Sequence, residues 1–192
     1  MRTVDRLLTA AKDVWDGYHT HPFVAGLKYG DLDTEKFRFY MIQDFRYLME
    51  YTKVFAIGVA KSQSLETMKV FAKYIQAILD GEVNVHNGYM AEFGISREEL
   101  ENTPISQDNR SYTNYMLSIA YMGGEAEVLT AIFACAYSTR SSAVWQMGAR
   151  LYHAKIYRQQ CHSERTPGKA DGRIYRAAAA VPGGDLRGLL PL

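Results

Sequence analysis

From Thr34 to Lys61 the chain contains no proline and a single glycine, Gly58, while its apolar side chains recur at helical spacing. A segment this long and this regular excludes most strand-based architectures and reads as one long helix. Asp33 stands where an N-cap belongs, and Glu35 places a favourable negative charge in the first turn. The flanking stretches have the same character. Residues 2–19 carry Val4, Leu7, Leu8, Ala11, Val14 and Trp15 on one face. Pro22 is expected to end that helix, because the residue before a proline avoids the α region. A third long helix is expected over 64–93, between a capping serine and Gly94. Ser96 and Glu99 have capping-box spacing ahead of a short helix. Pro104 and Asp108-Asn109 read as a loop, and two further helices are expected over 110–122 and 124–150, parted by Gly123-Gly124. No stretch of residues 1–150 alternates apolar and polar side chains. The fold class is therefore an all-α helical bundle.

The chain has 192 residues, enough for one domain with a substantial core. Its 22 basic and 21 acidic side chains leave a net charge of +1, which argues against nucleic acid as a partner. The balance conceals an asymmetry, since residues 151–192 carry +4 and residues 1–150 carry −3. No apolar run approaches the roughly 18 residues of a membrane span, and Met1-Arg2-Thr3-Val4-Asp5 lacks the apolar segment of a signal peptide. A cytoplasmic protein without membrane association is expected. Two cysteines, Cys135 and Cys161, make no disulfide framework. Beyond about residue 160 the helical period fails, through Thr166-Pro167-Gly168, residues 177–180 and Val181-Pro182-Gly183-Gly184. These patterns predict one helical domain over 1–160 and a poorly structured tail over 161–192.

Several residues could carry chemistry. Asp44, Tyr47 and Tyr51 stand at i, i+3 and i+7, so they share a helix face, with Phe37, Tyr40, Met41 and Leu48 near it. A carboxylate in an aromatic stripe needs a partner. It could anchor a ligand's N–H groups, or sit at the edge of a core bonded to a neighbouring Tyr or Arg. Tyr112 and Tyr115 form a second pair one turn apart. Cys135 lies in the apolar run Ala131-Ile132-Phe133-Ala134-Cys135-Ala136-Tyr137, where a cysteine is either an inert core residue or, given donors that stabilise its thiolate, a nucleophile. Glu82 and His86 stand at i, i+4. A di-iron site needs paired Glu-x-x-His motifs on several helices, and this chain has no second copy. His19 and His21 flank a helix end before proline, a place for capping more than for haem ligation. No phosphate-binding glycine loop is present.

Taken in order, His21-Pro22-Phe23-Val24, Lys36-Phe37-Arg38-Phe39-Tyr40-Met41-Ile42-Gln43-Asp44-Phe45-Arg46-Tyr47-Leu48, the Glu82/His86 pair, Phe93-Gly94-Ile95-Ser96, Tyr112-Thr113-Asn114-Tyr115-Met116 and Phe133-Ala134-Cys135-Ala136-Tyr137-Ser138 resemble the TenA/thiaminase II (aminopyrimidine aminohydrolase) family. The resemblance covers about residues 5–138. It implies a haem-oxygenase-like helical bundle assembled as a homotetramer. It also implies hydrolysis at a pyrimidine, releasing ammonia from 4-amino-5-aminomethyl-2-methylpyrimidine or cleaving thiamin. No metal or organic cofactor is implied. By position, Cys135 resembles the nucleophile that adds to the ring, and Tyr47 and Tyr112 resemble the hydroxyls that activate it. Asp44 resembles the carboxylate that grips the ring nitrogen and amino group, with Tyr51, His86 and Tyr137 as further substrate-binding residues.

After Ser138 the pattern departs from the family. The tyrosine the resemblance implies at the next position is Thr139, and the glutamate implied from a late helix has no recognisable counterpart, Glu164 lying among Ser, Arg, Thr and Pro. Impaired turnover is the consequence expected, and a non-catalytic pyrimidine- or thiamin-binding relative is the alternative reading. A one-nucleotide shift of reading frame just after Ser138 accounts for both departures, with a divergent C-terminus as its rival. The underlying DNA decides between them.

Overall fold

The structure is a computed structural model that describes residues 3–141, the side chains of His19 and of residues 139–141 excepted. The expected boundary at residue 160 and the tail 161–192 lie outside the described residues, as does most of the stretch that departs from the family pattern. Every regular element among the described residues is helical. These residues divide into two units, one holding the chain up to Thr34 and the other holding Glu35–Ser138.

The first unit shows two departures from expectation. The helix expected over 2–19 is two helices, α1 (Thr3–Ala10) and α2 (Lys12–Thr20), broken where Ala11 leaves helical geometry at φ −105°, ψ 18°. Pro22 does more than stop a helix. His21 turns to an extended conformation, ψ 135°, and its Nδ1 accepts the N–H of Phe23 at 3.2 Å, so that Pro22 opens a further helix, α3 (Pro22–Tyr29). Proline suits a first helical position because the N–H it lacks would have no partner there.

In the second unit α4 (Thr34–Lys61) is the central helix, with the bounds its sequence predicts. α5 (Leu65–Ala77) begins after Ser64, whose Oγ accepts the Thr67 N–H at 3.1 Å. The expected helix over 64–93 is not uniform. Residues Ile78–Glu82 form a π turn, in which the Val83 N–H donates to the Ile78 carbonyl five residues back. α6 (Val83–Glu92) follows and stops at Gly94, whose φ of 64° lies in the left-handed region that glycine adopts without a Cβ penalty. α7 (Arg97–Asn102) is capped by Ser96, whose Oγ accepts the Glu99 N–H at 3.0 Å. α8 (Gln107–Met122) starts earlier than expected. Ser106 is its N-cap, so Asp108 and Asn109 belong to its first turn and not to a loop. α9 (Glu125–Ser141) follows Gly123-Gly124.

Leu48, Tyr51, Val54 and Phe55 of α4 pack with Phe71, Ile78, Met116, Ala120, Val128 and Ile132, so four helices and the π turn share one apolar core. Phe55 meets Phe71 edge-on with centroids 6.1 Å apart and stacks on Tyr74 at 5.6 Å. Gly58 admits the Phe71 ring so closely that a Cβ there would stand 2.6 Å from it.

Polar side chains of α4 hold the 93–109 segment in place. Arg38 Nη2 bonds both carboxylate oxygens of Glu99 at 2.8 Å, and its Nη1 donates to the Phe93 carbonyl. The Glu99 carboxylate thus serves Arg38, while its backbone N–H completes the Ser96 cap. Arg46 Nη2 donates to the carbonyls of Leu100 (2.6 Å) and Glu101 (2.9 Å). Buried Gln43 donates to the Pro104 carbonyl at 3.0 Å and accepts the Ser106 N–H at 2.8 Å. This last pair fixes the first turn of α8, and hence the position of Tyr112. Among the described residues no helix is long and apolar enough to cross a membrane.

Candidate active site

Asp44, Tyr47 and Tyr51 line one face of α4, as their spacing predicts. Tyr47 lies between two other tyrosine rings. It stacks on Tyr51 with centroids 5.2 Å apart and on Tyr112 of α8 at 5.8 Å with only 2° between planes. Tyr51 is buried, and its hydroxyl donates to the Ile132 carbonyl of α9 at 3.2 Å. Three helices therefore meet at this aromatic stack.

Cys135 enters from α9, packed against the edge of the core. Burial pushes its thiol up to about 12, and the charges of Asp44 and Glu82 push the same way. The hydroxyl of Tyr47, and to a lesser degree that of Tyr51, lies near the sulfur and acts in the opposite sense. The Tyr47 hydroxyl is itself buried and has no partner in full hydrogen-bond geometry, so its interaction with the thiol is a loose one. Burial, followed by the negative charge of a Cys135 thiolate, also raises the pKa of Tyr47, Tyr51 and Tyr112. The three phenols are neutral hydroxyls at any ordinary pH. They can donate to an anion that forms beside them.

Asp44 has two well-made bonds, both to Oδ2. The Tyr40 hydroxyl donates at 2.7 Å, and His86 Nε2 lies at 2.7 Å. Among the described residues none bonds Oδ1. The Asp44 side chain keeps 24% of its surface exposed. The plainer expectation of a bond to a neighbouring tyrosine thus holds together with the one that leaves an oxygen available to a ligand. The other ring nitrogen of His86, Nδ1, lies 2.9 Å from the Glu82 carbonyl.

Glu82 closes the π turn and faces the same cluster. Burial and then the Asp44 charge raise its pKa, and His86 opposes them. For His86 burial favours the neutral ring, but the bond to Asp44, the Asp44 charge and the carbonyl and charge of Glu82 outweigh it, so the pKa is raised overall. The sequence marks Glu82 as half of an incomplete metal motif and as part of the Glu82/His86 pair in the family resemblance, with no role of its own; among the described residues no three His, Cys, Asp or Glu side chains are placed to hold a metal ion. Tyr137 stacks on Phe133 of its own helix at 5.6 Å. His21 caps α3.

A sequence model described as the TENA/THI-4/PQQC family matches residues 8–166. The chain belongs to the TENA/THI-4/PQQC family. Its match runs past Ser138, where the motif-by-motif resemblance stops. This TENA/THI-4/PQQC chain is 41% identical over 138 residues to an aminopyrimidine aminohydrolase of Helicobacter pylori, which covers 72% of this chain and 64% of that protein. It is 38% identical over 145 residues to an aminopyrimidine aminohydrolase of Halalkalibacterium halodurans, covering 76% and 62%. The chain therefore spans a little under two thirds of the length of these curated relatives. Among solved structures, a TenA homologue from P. horikoshii OT3 superposes with a TM-score of 0.74 at 26% identity, covering 94% of this chain and 83% of that one. A TenA family transcription regulator from Silicibacter sp. TM1040 gives 0.71 at 25%, covering 92% and 88%. These likenesses agree with the all-α architecture.

Proposed function

We propose that the chain is a hydrolase of aminopyrimidines from thiamin breakdown, with 4-amino-5-aminomethyl-2-methylpyrimidine as substrate and thiamin as a second. One observation carries this reading: Cys135, Asp44, Tyr47, Tyr51, Tyr112 and His86, drawn from four helices, converge on one partly buried cluster. In this reading Asp44 Oδ1 accepts an N–H of the pyrimidine and steers a proton onto the ring nitrogen. The protonated ring is electron-poor enough for sulfur, a soft nucleophile, to bond to a ring carbon as the thiol gives up its proton. Ring electrons then break the bond between the methylene carbon and the amine, which takes the proton released by the thiol and departs as ammonia. Water adds to the methylene, the sulfur leaves, and the ring is restored as the hydroxymethyl product. Tyr47 and Tyr112 act as donors that hold the developing thiolate, and Tyr51 and Tyr137 are walls of the pocket. The glutamate that the resemblance implies from a late helix has no recognisable counterpart in the sequence, and turnover is proposed to be weak. A homotetramer and a cytoplasmic location go with the same reading, checked by light scattering and by cell fractionation.

The test is ammonia release from the aminomethyl pyrimidine by the purified full chain, with Cys135→Ser expected to reduce it to the uncatalysed rate. Activity retained by that variant would remove Cys135 as nucleophile. A second reading, a pyrimidine-binding protein without turnover, is favoured by the thiol itself, which is held protonated with a pKa pushed up to about 12. Thermal stabilisation by the pyrimidine with no ammonia released would select it.

A further inference from the structure

The two bonds of His86 constrain where its protons are. A backbone carbonyl can only accept, so Nδ1, 2.9 Å from the Glu82 carbonyl, must carry a hydrogen. Nε2 then faces Asp44 Oδ2 at 2.7 Å, a distance at which two acceptors would repel. A second proton must lie between them, on the nitrogen or on the oxygen. Tyr40 donates to the same oxygen, so both lone pairs of Oδ2 are taken. Oδ1 alone is left for a ligand.

We propose that His86 is a positioning residue: the proton it shares with Oδ2 locks the Asp44 carboxylate so that a single acceptor, Oδ1, faces an amino-substituted pyrimidine, and loss of that proton releases the lock. The inference rests on the aminopyrimidine reading above and gives His86 a role other than substrate contact. Without the proton, the Nε2 lone pair points at a carboxylate lone pair, and the carboxylate must turn away from its ligand-binding orientation. Among the described residues the charged groups facing His86 are Asp44 from α4 and Glu82 from the π turn; Tyr40 donates to the same Asp44 oxygen, and the charges of both carboxyls reach Cys135 of α9. Of these, only the proton shared with Asp44 is fixed in place by hydrogen bonds at both ring nitrogens. Asp44 and Glu82 both favour its retention. Ligand affinity is therefore complete while the pair holds its proton and declines as rising pH removes it.

Two measurements on the full chain test this. The first is nitrogen NMR of ligand-free, histidine-labelled protein at neutral pH, where His86 is expected to show hydrogens coupled at both ring nitrogens or one exchanging on the Asp44 side. A plain neutral ring with an unbonded Nε2 overturns the proposal. The second is binding of 4-amino-5-hydroxymethyl-2-methylpyrimidine, the unreactive product, across pH for the parent and for His86→Gln, whose amide donor does not titrate. The ligand's own titration is common to both. Relative to the variant, the parent should lose affinity by up to tenfold per pH unit above the point at which His86 deprotonates; parallel profiles refute the lock. If the parent binds at no pH, the aminopyrimidine reading fails, and the nitrogen spectrum still decides whether the proton is there.

Discussion

Gly58→Ala puts two opposing effects in direct competition. In a helix interior the change from glycine to alanine ordinarily stabilises by about 1 kcal/mol, because the unfolded chain loses freedom it would otherwise keep. Here the new Cβ would stand 2.6, 2.7 and 2.8 Å from three atoms of the Phe71 ring. Ordinary contact begins at 3.4 Å, so the ring would have to retreat by nearly an ångström. It has nowhere easy to go, being fully buried with Phe55 set edge-on against it. Overpacking of this kind costs about 1–3 kcal/mol, and a rigid aromatic neighbour places the site toward the upper end. The net expectation is destabilisation by roughly 1–2 kcal/mol, or a fall in melting temperature of about 3–6 °C for a chain this size. Gly88→Ala on α6 is the control, since a Cβ there meets nothing within 4 Å and should stabilise by about 0.5–1 kcal/mol. Denaturant unfolding followed by far-UV circular dichroism reads both. If Gly58→Ala is as stable as the parent while Gly88→Ala behaves as expected, the close approach of Phe71 is not what keeps a glycine at position 58.

The state of Cys135 is checked by alkylation, mapped by mass spectrometry to separate it from Cys161. With the thiol held up to about 12, modification at neutral pH should be slower than that of an ordinary thiol and rise about tenfold per pH unit, and Tyr47→Phe, which removes one stabilising hydroxyl, should slow it further. Rapid neutral-pH alkylation would contradict the burial argument. Stability should also depend on pH through His86. Its folded pKa is raised, so its contribution is complete below its unfolded value of about 6.5 and is lost as pH climbs through the folded value. Glu82, also raised, works in the same direction at lower pH. A melting temperature that increases from pH 6 to pH 8 would reverse that sign.

The features legible in the sequence were those with local chemical signals. Ser64 and Ser96 cap as their types suggest, Gly94 takes a positive φ, and α4 has no breaker within it. The misreadings share a cause. Pro22 both forbids helix before it and favours helix after it, and only the first half was read. Asp108-Asn109 suits a loop or a first helical turn, and Ser106 decides for the turn. The break at Ala11 and the π turn carry no compositional mark. In the site, helical spacing predicts the shared face of Asp44, Tyr47 and Tyr51. Nothing in spacing brings Cys135 to those tyrosines or ties Asp44 to His86, because those partners come from different helices. The family resemblance supplied the first link and tertiary structure the second.

The π turn has a consequence for how such a site can be gained or lost. It holds one residue more than a regular helix would need to cover the same span. Each residue of an α-helix turns the chain by about 100°. Were the same residues to close into an unbroken α-helix with none removed, everything downstream would rotate by that angle relative to α5. The glutamate and histidine letters would survive in the sequence, but they would address a different side of the helix. Whether Asp44 has a partner is thus a matter of phase, set by how one turn of backbone is wound.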